Sequence, residues 1–572
     1  MKTKKVKNYP LYDATFFKDF RTLIENSAEK FRDQTALSYK DDPRGDETVK
    51  VSYRQARKEM RGLGTALISL GCREKHCAVI GGASLGWVYT YFTLMAIGAV
   101  SVPLDKEWPA EDLAATVSRA DCEYVFYGAE SAGKIAVLRK ECPNIKEFIC
   151  MTGLAAEGDR FVPELIVRGI EMYKAGDRSY YDYDIDPDRM ASIVFTSGTT
   201  GKGKGVMLSQ TNIVTDITQA TYYFCVTPKT LMVLPPHHTF GSSINLVGHY
   251  ALGSEVYISS GLKYLAKEMQ EQQPSHLILV PLFVENLHKK IWSTAAKKGQ
   301  DKTLRQMIGL SNGMRKIGID LRRKMFSSIL GMFGGKLEMI ICGGAALSQD
   351  IIDTFDALGI TILNGYGITE CAPLISCNRN KLQVNGSVGL PIVGEQVKII
   401  HQDENGEGEI CVKGTNVMLG YYKDPEATAE VFDDDCFFKT GDYGRIDENG
   451  WLYITGRLKN LIIFSNGKNV YPEEIEAEIS KIPGVCEVVV YAGESKSRPD
   501  REVIVAEIFP DEETLQLRGI TDYEKYFSDE VKKANANMVS YKAVGLVKIR
   551  KTEFMKNTSR KITRFNIDKT ID

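Results

Sequence analysis

The sequence predicts an α/β protein of more than one domain: mostly parallel sheets covered on both faces, then a β-rich segment, then an α+β portion at the C-terminus. Three observations carry this. The chain has 572 residues, more than one hydrophobic core organises, so at least two domains are expected. Apolar runs of strand length alternate with helix-length segments through most of the chain, joined by short Gly-rich turns. The texture then changes near residue 386 and again after Gly456.

Taken in order, Tyr53, Ala56, Met60, Leu63, Leu67 and Leu70 recur at helical spacing. Cys77 to Leu104 carries no charge over 28 residues, long enough to span a bilayer. Gly81-Gly82 and Gly98 interrupt it, so it reads as a strand (Ala78–Ile80), a helix (Trp87–Ile97) and a second strand (Ala99–Leu104). Further strands are expected at 192–195, 231–234, 277–280, 339–342 and 360–363, with helices at 212–224, 283–292 and 349–358. From residue 386 to 456 short strands alternate with turns such as Asp403-Glu404-Asn405-Gly406 and Asp447-Glu448-Asn449-Gly450. Beyond that come a helix at 472–482, strands at 487–491 and 502–508, and a helix at 522–538.

Composition narrows the function. Hydrophobic residues make up 43% and charged residues 26%, the balance of a globular protein. With 72 Lys+Arg against 74 Asp+Glu, the formal charge of −2 gives no reason to expect nucleic acid as a partner. Twelve cysteines without a CxxC pair fit a reducing compartment, and seven histidines without an HxxxH pattern argue against a zinc enzyme. The basic start, Met1 to Asn8, is followed by Asp13, Lys18 and Asp19 where a signal peptide would be apolar. A cytoplasmic protein without a transmembrane segment is expected, with peripheral membrane association as a variant.

The strongest local signal is Thr196-Ser197-Gly198-Thr199-Thr200-Gly201-Lys202-Gly203-Lys204-Gly205, directly after the 192–195 strand. Glycines let backbone N–H groups approach an anion, hydroxyls donate hydrogen bonds and lysines add charge, a combination suited to a polyphosphate. A Walker A loop would need Ser or Thr after Gly203-Lys204 to hold magnesium, and Gly205 stands there.

With six further segments in order, this loop resembles that of the AMP-forming acyl-CoA synthetases of the adenylate-forming superfamily, over nearly the full chain. Gly203 stands where that family usually has Pro. Pro235-Pro236-His237-His238-Thr239-Phe240-Gly241 resembles the acyl-pocket loop, and Gly343-Gly344-Ala345 the adenine-side turn. Asn364-Gly365-Tyr366-Gly367-Ile368-Thr369-Glu370 resembles the adenine and magnesium motif, and Lys439-Thr440-Gly441-Asp442 the ribose segment. Gly456-Arg457-Leu458-Lys459-Asn460 resembles the interdomain hinge. Asn557-Thr558-Ser559-Arg560-Lys561-Ile562 resembles the segment bearing the catalytic lysine.

The resemblance implies two doubly wound sheets and a β-rich subdomain (about 386–456) within a large domain, 1–457, and a mobile lid, 458–572. It implies ATP, Mg2+ and CoA, and a reaction in two halves: a carboxylate displaces pyrophosphate from ATP, then a thiol displaces AMP from the acyl-AMP. Thr196 to Gly201 and Lys204 would hold the phosphates, with Thr199 and Glu370 on magnesium. Gly343, Gly344, Ala345, Asn364, Gly365, Tyr366, Gly367 and Thr369 would surround the adenine and its phosphate. Asp442 and Arg457 would take the ribose and nucleotide, and Lys561 would bridge carboxylate and α-phosphate. Lys459 would be the hinge, and Gly467 and Lys468 would line the pantetheine tunnel once the lid turns. Ile463 stands where Lys is frequent. His238, Phe240 and Asn245 would border the acyl pocket. Residues 235–243 contain no acidic side chain to bind a substrate amine, which argues against an amino-acid substrate; a medium- or long-chain fatty acid is what the resemblance implies.

Other signals count for less. Gly82-Ala83-Ser84-Leu85-Gly86 satisfies GxSxG but lacks an oxyanion motif. Asp182, Asp184, Asp186 and Asp188 imitate a calcium loop with Pro187 where Gly is required. Competing functions are an acyl-AMP ligase loading a carrier protein, a nucleotide-binding regulator without catalysis, and a phosphotransferase.

Overall fold

The structure is a computed structural model, and it describes residues 9–196, 203–226, 228–464, 469–495, 497, 503–536, 538–556, 562–564 and 567–571. The chain forms two compact units: Met1–Gln396 with Lys413–Cys436, and Val397–Val412 with Phe437–Asp572. The β-rich stretch 386–456 is therefore shared between them.

In the first unit an eight-stranded sheet runs in the order Gly420–Tyr421, Gly205–Ser209, Met190–Phe195, Val100–Leu104, His76–Ile80, Cys122–Tyr127, Glu147–Cys150, Arg160–Phe161. Its centre is parallel, and Gly205–Ser209 and Gly420–Tyr421 add antiparallel at one edge. The uncharged 77–104 run is the expected βαβ unit: strands His76–Ile80 and Val100–Leu104 pair in parallel, joined by helix Leu85–Ala96. That helix is apolar all round because it is buried all round. Its 12 residues fall short of the ~20 a bilayer needs. Among the described residues no helix is long and apolar enough to cross a membrane. Ser84, the would-be nucleophile of GxSxG, is the N-cap, its Oγ accepting from the Trp87 N–H at 3.1 Å.

A five-stranded sheet follows: His276–Leu279, Met339–Gly343 and Thr361–Gly367 in parallel, then Leu374–Cys377 and Leu390–Pro391 antiparallel. Helices Pro281–Lys297, Asp301–Lys316 and Gln349–Leu358 lie on one face over a core of Leu277, Leu279, Val284, Ile340, Phe355 and Ile362. The opposite face packs Ile278, Ile341 and Leu363 against Tyr223, Phe224 and Ile244. A third sheet in this unit, Lys229–Met232, Glu255–Ile258, Thr35–Tyr39 and Val49–Ser52, is additional to the expected pair. It joins the N-terminal hairpin to the middle of the chain through the parallel pairing of Leu37 with Val256.

The second unit holds a four-stranded sheet (Gln396–Ile400, Gly408–Lys413, Phe438–Ile446, Leu452–Arg457) and a three-stranded one (Val485–Gly493, Val503–Pro510, Leu546–Ile549). Helices Pro472–Ile479 and Tyr523–Asn535 cover the latter with Ile475, Ile479, Phe527 and Val531 buried against Val490, Ala506 and Ile508. The expected strands and helices of the C-terminal portion are thus present.

Candidate active site

Strand Met190–Phe195 returns directly as Gly205–Ser209, with Phe195 opposite Gly205. The glycine-rich segment is therefore the loop of a hairpin, whereas a kinase-type P-loop leads into a helix. Thr196 and Lys204 close its base: the Thr196 N–H donates to the Lys204 carbonyl at 3.0 Å. Arg119 donates to the Gly203 carbonyl at 2.5 Å and lies 4.7 Å over the Phe195 ring. A side chain at Gly205 would stand 2.9 Å from Ile193 and 3.1 Å from Phe195, so this position is reserved for glycine by packing. Ser197, Gly198, Thr199, Thr200 and Gly201 lie outside the described residues.

The Lys204 ammonium sits 4.6 Å over the Tyr421 ring, and the Tyr421 hydroxyl donates to Glu370 Oε1 at 3.0 Å. Burial and the Glu370 charge push the Tyr421 phenol well up, so it stays a donor at neutral pH. Glu370 is half-buried in the turn Thr369–Cys371, and its carbonyl accepts from the Met418 N–H at 2.8 Å. Tyr421 was not singled out in the sequence. It is brought in by strand Gly420–Tyr421, which pairs with Met207 and Val206 beside the loop.

Behind Glu370 lies a buried network. The Asp216 carboxylate accepts from the Leu374 N–H at 3.0 Å and from Asn416 at 3.4 Å, and Asn416 donates to the Leu374 carbonyl at 2.7 Å. These bonds tie helix Gln210–Thr221 and the 413–419 segment to the strand that follows Glu370. Burial pushes the Asp216 carboxyl far above its ordinary range. Its sequence gives no hint of this role, because one Asp in a helix reads as a surface residue.

Gly343 and Gly365 are opposite partners at the carboxyl ends of two parallel strands, where ligands bind in open α/β sheets. A Cβ on Gly343 would lie 3.3 Å from the Phe240 ring and 3.3 Å from the Gly365 carbonyl. The expected acyl loop and adenine turn therefore meet at this edge. Gly344 takes the left-handed conformation at φ +92°, and Ala345 beside it is exposed. Asn364 is half-buried, its carbonyl accepting from the Asn378 N–H at 2.9 Å. Tyr366 is buried opposite Ser376, and Gly367 and Thr369 are half-buried.

His238 is half-buried, its ring centroid 4.4 Å from that of His237 and tilted at 44° to it. His237 is buried, its Nε2 3.6 Å from Asp105, and burial together with Lys106 lowers its pKa to about 4. Phe240 opens a π-helical segment, Phe240–Gly248, that buries Asn245 completely. Among the described residues neither amide atom of Asn245 has a hydrogen-bond partner. An unpaired buried amide costs about 1–3 kcal/mol, so it calls for a ligand or water group.

In the second unit Asp442 and Arg457 are cross-strand partners, with Arg457 Nε 2.9 Å from Asp442 Oδ1. The Asp442 carboxylate is almost fully buried while Arg457 reaches solvent. The Thr440 hydroxyl accepts from the Asp442 N–H at 3.1 Å and donates to Ile410 at 2.8 Å, which holds the turn. Lys459 is exposed in the turn Leu458–Asn460. Gly467, Lys468 and Lys561 lie outside the described residues. Lys556, five residues before Lys561, is bound to Glu487 and Glu553 and pairs through its backbone with Ile562. That makes Lys556 a structural lysine.

Comparison with known proteins bears on both units. Residues 24–422 match the model of a family described as AMP-binding enzyme. Long-chain-fatty-acid–CoA ligase 5 of Rattus norvegicus is 30% identical over 81% of this chain and 71% of its own length. A chloroplastic long-chain-fatty-acid–[acyl-carrier-protein] ligase of Arabidopsis thaliana is 28% identical over 86% of this chain and 76% of that protein. Among solved structures, an anthranilate CoA ligase with anthranoyl-AMP superposes at a TM-score of 0.76, with 19% identity and 96% of each chain covered. ATP-bound MatB of Rhodopseudomonas palustris gives a TM-score of 0.74 at 23% identity, over 96% of this chain and 97% of that one. These two likenesses establish the fold.

Proposed function

The chain belongs to the AMP-binding enzyme family, and from that membership we propose an ATP-dependent fatty-acid ligase with the residue roles set out below. It activates a carboxylic acid to acyl-AMP with release of pyrophosphate, then transfers the acyl group to CoA, using ATP and Mg2+. The acid is a medium- or long-chain fatty acid, in keeping with the named activity of the rat relative.

The observation that carries the assignment of residues is the relay from Lys204 through Tyr421 to Glu370, which ties the base of the phosphate loop to the acidic motif. A hard divalent ion fits Glu370, an oxygen donor held half-buried by the Tyr421 hydroxyl. Such an ion, when bound, offsets phosphate charge. Thr199 is assigned as its second protein ligand. The 196–201 loop and Lys204 hold the β- and γ-phosphates. Tyr366 and Asn364 take the adenine beside Gly343, Gly344, Ala345, Gly365, Gly367 and Thr369. Asp442 accepts the ribose hydroxyls, its carboxylate already oriented by Arg457. The acyl chain is assigned to His238 and Phe240, and the buried Asn245 amide to its polar end. His237, held neutral, adds no charge there.

Lys561 neutralises the meeting of a carboxylate with the α-phosphate, two anions that would otherwise repel, and such a group is worth about 3–4 kcal/mol at the transition state. The part of the chain from 458 onward is the mobile lid, turning at Lys459 so that Gly467 and Lys468 replace Lys561 for thioester formation. The chain is placed in the cytoplasm, with peripheral contact to the membrane that holds its substrate.

Measuring AMP, pyrophosphate and thioester over a panel of fatty, aromatic and short acids tests this reading. Fatty-acid-dependent AMP and acyl-CoA are expected, and ADP as the nucleotide product would reject it. The similarity to an acyl-carrier-protein ligase supports a second acceptor, a carrier-bound phosphopantetheine. Offering CoA and carrier protein side by side separates the two.

A further inference from the structure

Helix Asp301–Lys316 and the turn beyond it leave four large apolar side chains in solvent: Leu310 (61% exposed), Ile317 (74%), Ile319 and Leu321. Leu310 and Ile317 are seven residues apart, two helical turns, and Gly313 between them leaves that face open. Between Lys289 and Lys324 the chain carries eleven Lys and Arg against two Asp, although the whole protein has a net charge of −2. Three of these cations brace the segment: Arg315 and Arg322 on Asp356, and Arg323 on the carbonyls of Leu337 and Gly335. Lys290, Lys298, Lys302, Lys316 and Lys324 are exposed in the same stretch of chain as the apolar residues.

We propose that this face docks on an anionic lipid bilayer, with Leu310, Ile317, Ile319 and Leu321 entering the headgroup boundary and the lysines meeting lipid phosphates. Apolar side chains inside a cationic field are what interfacial binding uses. A second copy of the chain is a poor occupant, since a two-fold pairing would set the same cations against one another. Nucleic acid would engage the lysines and leave the isoleucines and leucines in water. The surface also leads towards the acyl site. Helix Pro281–Lys297 immediately precedes Asp301–Lys316, and its Phe283 packs in the same apolar cluster as Phe240. At about 1.5 Å per residue its 17 residues span roughly 25 Å. Docking there would bring a membrane-dissolved acid near its pocket. That purpose rests on the fatty-acid reading, while the surface itself does not.

Flotation with vesicles containing phosphatidylglycerol, and with pure phosphatidylcholine, tests the proposal on the full chain. The protein should float with the anionic vesicles and lose at least about tenfold in partitioning between about 0.05 M and about 0.5 M salt. Combined Lys302→Glu, Lys316→Glu and Lys324→Glu should lower partitioning by roughly a hundredfold or more. Ile317→Asp should also lower it, while changing the salt slope far less than the triple charge reversal. Both variants should keep the wild-type melting temperature and acid-dependent ATP turnover with a water-soluble acid. Equal binding by wild type and variants, binding to duplex DNA in place of vesicles, or a concentration-dependent dimer abolished by Ile317→Asp would overturn it. Loss of vesicle binding in variants of a protein that activates no acid would keep the docking surface and remove the enzyme reading.

Discussion

At the residue scale the hydrogen bond from Tyr421 to Glu370 is the most exposed to test. Tyr421→Phe keeps the ring under Lys204 and removes only the hydroxyl. A bond to a charged acceptor is worth about 1.5–3 kcal/mol, so acid activation should fall by roughly ten- to a hundredfold. The Mg2+ concentration for half-maximal rate should rise with it, and an unchanged Mg2+ dependence would show that the tyrosine only packs. Asp442 and Arg457 were legible because each lies in a short motif, and strand pairing puts them side by side. Tyr421 and Asp216 were not. Their partners come from distant segments through strand pairing and burial, which no local spacing encodes.

At the scale of elements, the hairpin around the phosphate loop depends on a bare position at Gly205. Gly205→Ser supplies the hydroxyl a Walker loop would use, yet its Cβ would crowd Ile193 and Phe195. It should cost about 1–3 kcal/mol in unfolding free energy and lower, not raise, nucleotide turnover. A second element effect concerns Glu395, whose two carboxylate oxygens are buried with no hydrogen-bond partner among the described residues and lie where a side chain on Gly414 would stand. Burial raises its pKa to about 8. The folded state thus binds a proton that the unfolded state has released above pH ~4.5. Its contribution is fully present below pH ~4.5 and is lost as pH rises through about 8. Glu395→Gln should flatten this slope and stabilise the protein above pH 8, as denaturant titrations at pH 6 and about 9 would show. A wild-type stability independent of pH across this window would contradict the burial argument. Most long helices and strands were legible from periodicity. The third sheet was not, because Thr35–Tyr39 gains its partner only from Glu255–Ile258 far along the chain. Helix Pro425–Glu430 was hidden in a stretch dominated by turn residues, and the π-helical form of Phe240–Gly248 is a backbone choice no side-chain pattern announces.

At the scale of the whole molecule, the account needs one chain to run two chemical steps with different groups. Lys561→Ala should lower adenylation by roughly a hundredfold or more while largely sparing thioester formation from preformed acyl-AMP. Equal loss of both half-reactions in single turnovers would reject the two-conformation scheme. Lys556→Ala, by contrast, should act on stability through Glu487 and leave the ratio of the two steps unchanged. The family and its reaction were readable because seven motifs keep their order along the chain, whereas the division of the 386–456 stretch between two units depends on where Gly420–Tyr421 finds a sheet to join. The most direct measurement of the central claim is isotope exchange between pyrophosphate and ATP with CoA left out. Exchange should appear only when a fatty acid is added and should vanish in Glu370→Ala. Exchange that ignores the acid, or none at all from a folded protein that still cleaves ATP to ADP, would contradict the account.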